Sequence, residues 1–385
     1  MHRFTRTTVA FLRRLLSGPE KAPPPGQVLT ASRAVAGIEA LSCEGVASAA
    51  YTPSSAAAAT KQYARPPLNA FGRPVVEHEC SSTAGSIAAV TGMGLTGLRA
   101  TAFLSLDEIG ETWGPLRTAT KRLVPMVVHA IGEGGHDGLH AVAEAGPFQV
   151  MAANAQEAVD LTLLSRWLTE RALVPGIVAV DAEFIENCKV PDEGAIREWL
   201  GLPDEPLPCP TEAQRLLFGP ERRRVAAWFD PDHPMATGTS RGVDRDRAAN
   251  AGRSIFFADH VRELAEQGLS ELAKLTGRTH SFVSEHRLDD ANTVIVARGA
   301  SVQVATAVAD HLREANGPKV GVLGITFMRP FPAAEVAKAL KGRSNVIVID
   351  VVDGAMEAPL LREVRAAASA SNWTSALTEI GRAHV

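Results

Sequence analysis

Apolar runs at residues 99–104, 124–129, 148–151 and 176–181 alternate with stretches whose hydrophobic side chains return every three or four positions. An apolar run of this length fits a strand buried on both faces, and a one-sided stripe fits the helix that covers it. The Ala-rich segments 31–42 and 84–96 have helical spacing, and 155–173 sets Leu161, Leu164, Trp167 and Leu168 on one face. Strands alternating with helices predict a mainly parallel sheet between two helical layers. The rhythm stops at 192–250, where Pro, Arg and acidic residues dominate and Arg222-Arg223-Arg224 reads as a solvated basic face. A helix over 255–276, closed by Gly277, follows. Three more apolar strands, 293–297, 320–325 and 345–350, belong to a second block. The expectation is an α/β protein of two three-layer αβα domains with mainly parallel sheets. They cover residues 27–280, with an irregular bridge at 192–254, and 286–378.

A chain of 385 residues that is 45% hydrophobic and 21% charged has the material for two such cores. Its formal charge of −4 offers no basic footprint for nucleic acid or an anionic membrane. No stretch of about 18 apolar residues occurs, so no helical membrane span is predicted. Cys43, Cys80, Cys188 and Cys209 are scattered, without the Cys-x-x-Cys spacing of zinc or iron–sulfur ligands. This sparse usage fits a reducing cytoplasm.

Both ends are unusual. Residues 1–16 mix Arg3, Arg6, Arg13 and Arg14 with Phe4, Val9, Phe11, Leu12, Leu15 and Leu16. A transit or surface-seeking helix is one reading and a solvated extension the other, since the apolar stretch is too short for a secretory signal. Pro23-Pro24-Pro25-Gly26 reads as the linker that ends this extension. Residues 379–385 correspond to one translated frame of a common sequencing adapter, so the native reading frame is expected to continue past them.

Local motifs do not identify a chemistry. Gly92-Met-Gly94-Leu-Thr-Gly97 matches a dinucleotide fingerprint, but that motif needs a strand before it and a helix after it. Here the order is reversed, which predicts a tight helix-to-strand turn. His136 and His140 stand at helical spacing with Glu144 one turn further, yet the preceding Gly132-Glu-Gly-Gly135 reads as a loop entering a helix rather than a metal site. No Walker loop or nucleophile elbow is present, and no metal ligands are assigned.

An ordered set of longer stretches resembles the N-terminal part of the pyruvate:ferredoxin (flavodoxin) oxidoreductases, the thiamine-diphosphate-dependent 2-oxoacid oxidoreductases. The stretches are Tyr51-Thr52-Pro53-Ser54-Ser55, Val75-Val76-Glu77, Ala84-Gly85, Asp232-His233-Pro234, Gly238-Thr239, Asn250, Leu275-Thr276-Gly277-Arg278 and Arg329-Pro330-Phe331. The resemblance covers about residues 27–365. It implies a pyrimidine-binding thiamine domain followed by a transketolase C-terminal-like domain. The implied reaction is oxidative decarboxylation of a 2-oxoacid with CoA, electrons passing through [4Fe-4S] clusters to ferredoxin or flavodoxin. Mg²⁺, the diphosphate and the clusters are expected on parts of the enzyme outside this chain, in a homodimer or with partner subunits.

The resemblance also assigns residues. Thr52 and Ser54 face the substrate. A glutamate that hydrogen-bonds the aminopyrimidine is expected near the start of the second helix, where this sequence has Thr83, with Glu77 and Glu79 just upstream. Either Glu79 takes the role, with Thr83 as a weaker substitute, or the proton switch is lost. The arginine that clamps the substrate carboxylate is absent from the loop after the 126–130 strand, which leaves His129, His136 or His140 as replacements. The polar turn after the preceding strand is changed to Leu104-Ser105-Leu106-Asp107-Glu108.

Overall fold

The computed structural model describes residues 27–49, 68–132, 134–181, 184–229, 242–354, 357–370 and 376–382. Seven strands form the first sheet. In spatial order they are β14 (Phe327–Arg329), β6 (Phe148–Met151), β7 (Gly176–Val180), β5 (Val127–Ile131), β4 (Ala100–Ser105), β2 (Gly45–Ala49) and β3 (Val76–Cys80). All pair in parallel except β14. Side-chain alternation sorts the two faces. Phe103, Val127, Val178 and Val180 pack with α1 (Ala31–Ser42) and α5 (Ala155–Ala172). Ala102, Leu104, Val128, Ala130, Ile177 and Ala179 pack with α2 (Thr83–Leu95), α3 (Trp113–Lys121) and α4 (Asp137–Ala143).

Most segments fall where the pattern predicts, and the departures have local causes. Strand β5 starts at Val127 rather than 124, because Pro125 has no N–H to give a ladder. Gly92 and Gly94 lie inside α2, and Gly97, at φ +86°, turns the chain into β4. Helix α5 is buried on 15 of its 18 residues, so it is the central helix of the domain rather than a surface one. Its partner α9 (Val261–Thr276) crosses it at Gly268, where an added Cβ would stand 2.7 Å from Leu164 Cδ1.

The bridge is more regular than expected. It holds α6 (Glu193–Leu200), α7 (Glu212–Phe218) and a small antiparallel pair, β9 (Pro206–Pro208) with β10 (Glu221–Arg223). The arginine cluster is not a solvated face. Arg222 donates to the Glu170 carbonyl at 2.6 Å and the Arg171 carbonyl at 3.2 Å, satisfying the open end of α5. Arg223 donates to the Val225 carbonyl. The predicted helix over 255–276 is two, α8 (Val243–Phe256) and α9, broken where Phe257 leaves helical backbone to bury its ring near Phe218. Gly277 closes α9 in the left-handed conformation, as its position predicted.

The second sheet runs β11 (Val283–His286), β13 (Val320–Ile325), β12 (Thr293–Ala297), β15 (Asn345–Asp350) and β16 (Ala376–Arg382), parallel except for β11. Helix α10 (Ala300–Glu314) covers one face, and α11 (Ala333–Leu340) with α12 (Pro359–Ala370) covers the other. Strand β16 includes part of the adapter-like segment, pairing Glu379 with Val348. The two sheets are stitched together. Strand β14 follows β13 directly yet pairs with β6 of the first sheet, and Phe327 stacks on Phe282 at 4.1 Å. No helix among the described residues is long and apolar enough to cross a membrane.

Candidate functional site

In open parallel sheets the usable crevice lies outside the carboxyl ends of the strands, where strand-end loops and helix N-termini converge. Here those positions are Ser81–Thr83 after β3, Ser105–Glu108 after β4, 134–136 after β5 and Asp181 after β7. Ser82 caps α2 by accepting from the Gly85 amide. Thr83 opens that helix nearly buried, and its hydroxyl donates to Glu108 Oε2 at 2.8 Å. Ser105 donates to Asp107 within the same turn. The result is a hydroxyl–carboxylate pair at a helix N-terminus, suited to receive an N–H donor.

The sequence-predicted residues divide. Glu77 and Glu79 are exposed on β3, the edge strand, two positions apart and therefore on one face. Thr83 is brought to Glu108, a residue that sequence reasoning counted only as part of a changed turn. The usable signal was its position just past an apolar strand. Thr52 and Ser54 lie outside the described residues, as do the Asp232-His233-Pro234 and Gly238-Thr239 stretches.

His129 requires correction. It is wholly buried in the middle of β5. Its Nε2 meets Glu39 Oε1 at 2.8 Å, its ring stacks on Phe103, and Arg166 donates to Glu39 Oε2 at 2.6 Å. Burial pushes the Glu39 carboxyl up, but Arg166 and His129 outweigh it and bring it down to about 2. This triad ties α1 and α5 to the face of the sheet they cover, so the imidazole of His129 is engaged within the core.

His136 also has another employment. Its Nε2 meets Asp181 Oδ2 at 3.1 Å, and Arg298 Nε donates to its Nδ1 at 2.9 Å. With Nδ1 accepting from Arg298, Nε2 is the ring nitrogen left to face Asp181. Arg298 reaches His140 Nε2 at 2.6 Å and Asp350 Oδ1 at 2.5 Å through its other nitrogens. Asp181 also accepts from the Ala300 amide at the start of α10. Burial pushes the His140 imidazole down to about 2, with Arg298 adding to it. Burial alone would raise the Asp350 carboxyl; Arg298 and His136 bring it to about 2. Glu363, raised by burial against the pull of Arg329, closes the far side.

Thus the carboxyl ends of both sheets meet in one buried knot of charge. Its signal in the sequence was Arg298 immediately after one apolar strand and Asp350 ending another. Cys43, Cys80, Cys188 and Cys209 are all free and buried, and among the described residues no three His, Cys, Asp or Glu side chains converge on a metal position.

The architecture matches the 2-oxoglutarate:ferredoxin oxidoreductase of Magnetococcus marinus, solved with 2-oxoglutarate, coenzyme A and succinyl-CoA bound. The TM-score is 0.65 at 16% identity, over 96% of this chain and 66% of that one. The class is therefore a two-domain, mainly parallel α/β module of the fold found in a 2-oxoacid:ferredoxin oxidoreductase. Residues 291–384 match the family model for pyruvate:ferredoxin oxidoreductase core domain II. The pyruvate synthase subunit PorA of Methanothermobacter thermautotrophicus is 32% identical over 54% of this chain and 50% of its own length. The probable pyruvate-flavodoxin oxidoreductase of Escherichia coli is 29% identical over 75% of this chain and 24% of its own length. Thermotoga maritima PorA is 27% identical over 73% of this chain and 71% of its own. The family model thus matches the C-terminal quarter of the chain, and the chain spans about half of the first relative's length and about a quarter of the second's.

Proposed function

We propose that this chain supplies the aminopyrimidine side of the cofactor site in a thiamine-diphosphate-dependent 2-oxoacid:ferredoxin or flavodoxin oxidoreductase. Residues 27–280 act as the pyrimidine-binding domain and 286–378 as the second domain. The observation that carries the reading is the Thr83–Glu108 pair. A carboxylate that the sequence lacks at Thr83 reaches the same place from the next strand, at 2.8 Å.

The donor set fits the pyrimidine half of thiamine diphosphate, which needs a carboxylate partner for its ring nitrogen. When bound, the cofactor supplies a carbon that becomes nucleophilic and stabilises the negative charge left by decarboxylation. Glu108 would hold the ring nitrogen through a shared proton, and Thr83, donating to Oε2, orients the carboxylate so that Oε1 could serve the ligand. In this reading Thr52 and Ser54 serve the substrate. Diphosphate, Mg²⁺ and [4Fe-4S] clusters are held by other parts of the enzyme, which works in the cytoplasm with CoA and ferredoxin or flavodoxin.

The test is deuterium exchange at the cofactor's reactive carbon in the enzyme assembled with its diphosphate-binding part. Glu108→Gln should slow exchange by about 100-fold or more, the scale of general acid–base catalysis, while Glu79→Gln leaves it near the native rate. Loss in Glu79→Gln alone refutes the role of Glu108. No exchange in the unmodified enzyme refutes the thiamine reading and favours a structural homologue.

A further inference from the structure

The segment 134–140 lies between two surfaces that otherwise belong to different domains. On one side it is tied to the second sheet's carboxyl edge. The His136 amide donates to the Val351 carbonyl at 2.8 Å, the Gly135 amide to Asp353 Oδ2 at 3.0 Å, and the Asp353 amide to Asp137 Oδ2 at 2.7 Å. The Arg298 contacts to His136 and His140 add side-chain ties to these backbone ones.

On the other side the same segment abuts the turn that carries Glu108, in contacts only glycine permits. An added Cβ at Gly134 would stand 3.4 Å from the Asp107 amide nitrogen, on a backbone at φ +155°. One at Gly138 would stand 2.8 Å from Ile109 Cγ2 and 3.1 Å from the Gly110 nitrogen. One at Gly135 would stand 2.8 Å from the Asp353 nitrogen. Glu108 is thus flanked in sequence, at Asp107 and at Ile109–Gly110, by backbone pressed against a wedge that the second domain holds. Close-packed contacts of this kind transmit displacement rather than absorb it.

We infer that Arg298 is a positioning residue for Glu108: it locks the 134–140 wedge through His136 and His140, and the wedge sets the 105–110 turn against Thr83. The guanidinium is suited to this because it presents fixed donors to several acceptors at once, where a lysine offers a point charge. The functional weight of this inference rests on the role proposed for Glu108; the mechanical coupling does not.

Hydrogen–deuterium exchange on the full chain, without cofactor, tests the coupling. Arg298→Met should speed amide exchange about tenfold or more across both 134–140 and 105–112, while β12 and β13 keep native protection. His136→Ala should reproduce that pattern and serves if Arg298→Met does not fold. His136→Gln, which keeps an acceptor toward Arg298 and a donor toward Asp181, should retain native exchange at 105–112. Faster exchange confined to 134–140, or spread evenly over both sheets, overturns the inference. Absence of cofactor-carbon exchange in the unmodified enzyme removes the role of Glu108 and leaves the coupling measurement intact.

Discussion

Replacing His140 with glutamine should flatten the acid limb of the protein's stability profile. His140 is one-tenth exposed, and burial together with Arg298 holds its imidazole at about 2 in the folded protein, against 6.5 unperturbed. A depressed folded value means that protons prefer the unfolded chain. Stability is therefore intact above about pH 6.5 and is lost as pH falls from there toward about 2. Each pH unit in that window costs about 1.4 kcal/mol, so acidification to about pH 5 removes about 2 kcal/mol through this group. Glutamine keeps an oxygen that accepts from Arg298 and does not titrate. Glu39 and Asp350, both near 2, withdraw stability only below their ordinary carboxylate values of 4.5 and 3.8, and so leave the range above about pH 5 unaffected. Raised Glu157 and Glu363 act in the opposite direction, but equally in both proteins. Urea unfolding at a series of pH values should show the gap between the native protein and His140→Gln moving by about 2 kcal/mol between about pH 7.5 and pH 5. Parallel profiles would mean that His140 is protonated in the folded state and that the knot around Arg298 is wrongly described.

Two further predictions concern the core. Arg166→Met leaves the Glu39 carboxylate buried with His129 and Ser42 alone, and should cost about 3–5 kcal/mol by urea titration; a loss below about 1 kcal/mol would show that the triad is not a buried ion pair. Gly138→Ala forces a Cβ against the Ile109 side chain and the Gly110 backbone and should cost about 1–3 kcal/mol. Gly92→Ala, inside α2 with open space where a Cβ would stand, should instead gain about 0.5–1 kcal/mol. Equal melting shifts for the two glycine variants would contradict the packing described.

Three of the five strands of the second sheet, β12, β13 and β15, were legible to the residue, because an apolar run between turn residues is both the cause of burial and its visible sign. Helix α5 was legible at both ends, since Asn154 and Glu157 cap its start. The bridge was misread for a related reason. Its arginines look solvent-bound in sequence, and only their reach to the carbonyl end of α5 makes them internal. His129 was expected in the strand and found there; what the sequence did not show is that its ring nitrogen is taken by Glu39, 90 positions away.

What the sequence determined by itself is the α/β class and the division into two strand–helix blocks, since these follow from periodicity. What only the tertiary structure decided is which charges meet. Thr83 and Glu108 are 25 positions apart, Glu39 and Arg166 are 127, and His136 and Arg298 are 162. Such pairs are set by sheet order, strand length and the docking of one domain on another. None of these leaves a trace in the spacing of neighbouring residues, so the Glu108 carboxylate and the Arg298 knot became visible only once the carboxyl ends of both sheets were in place.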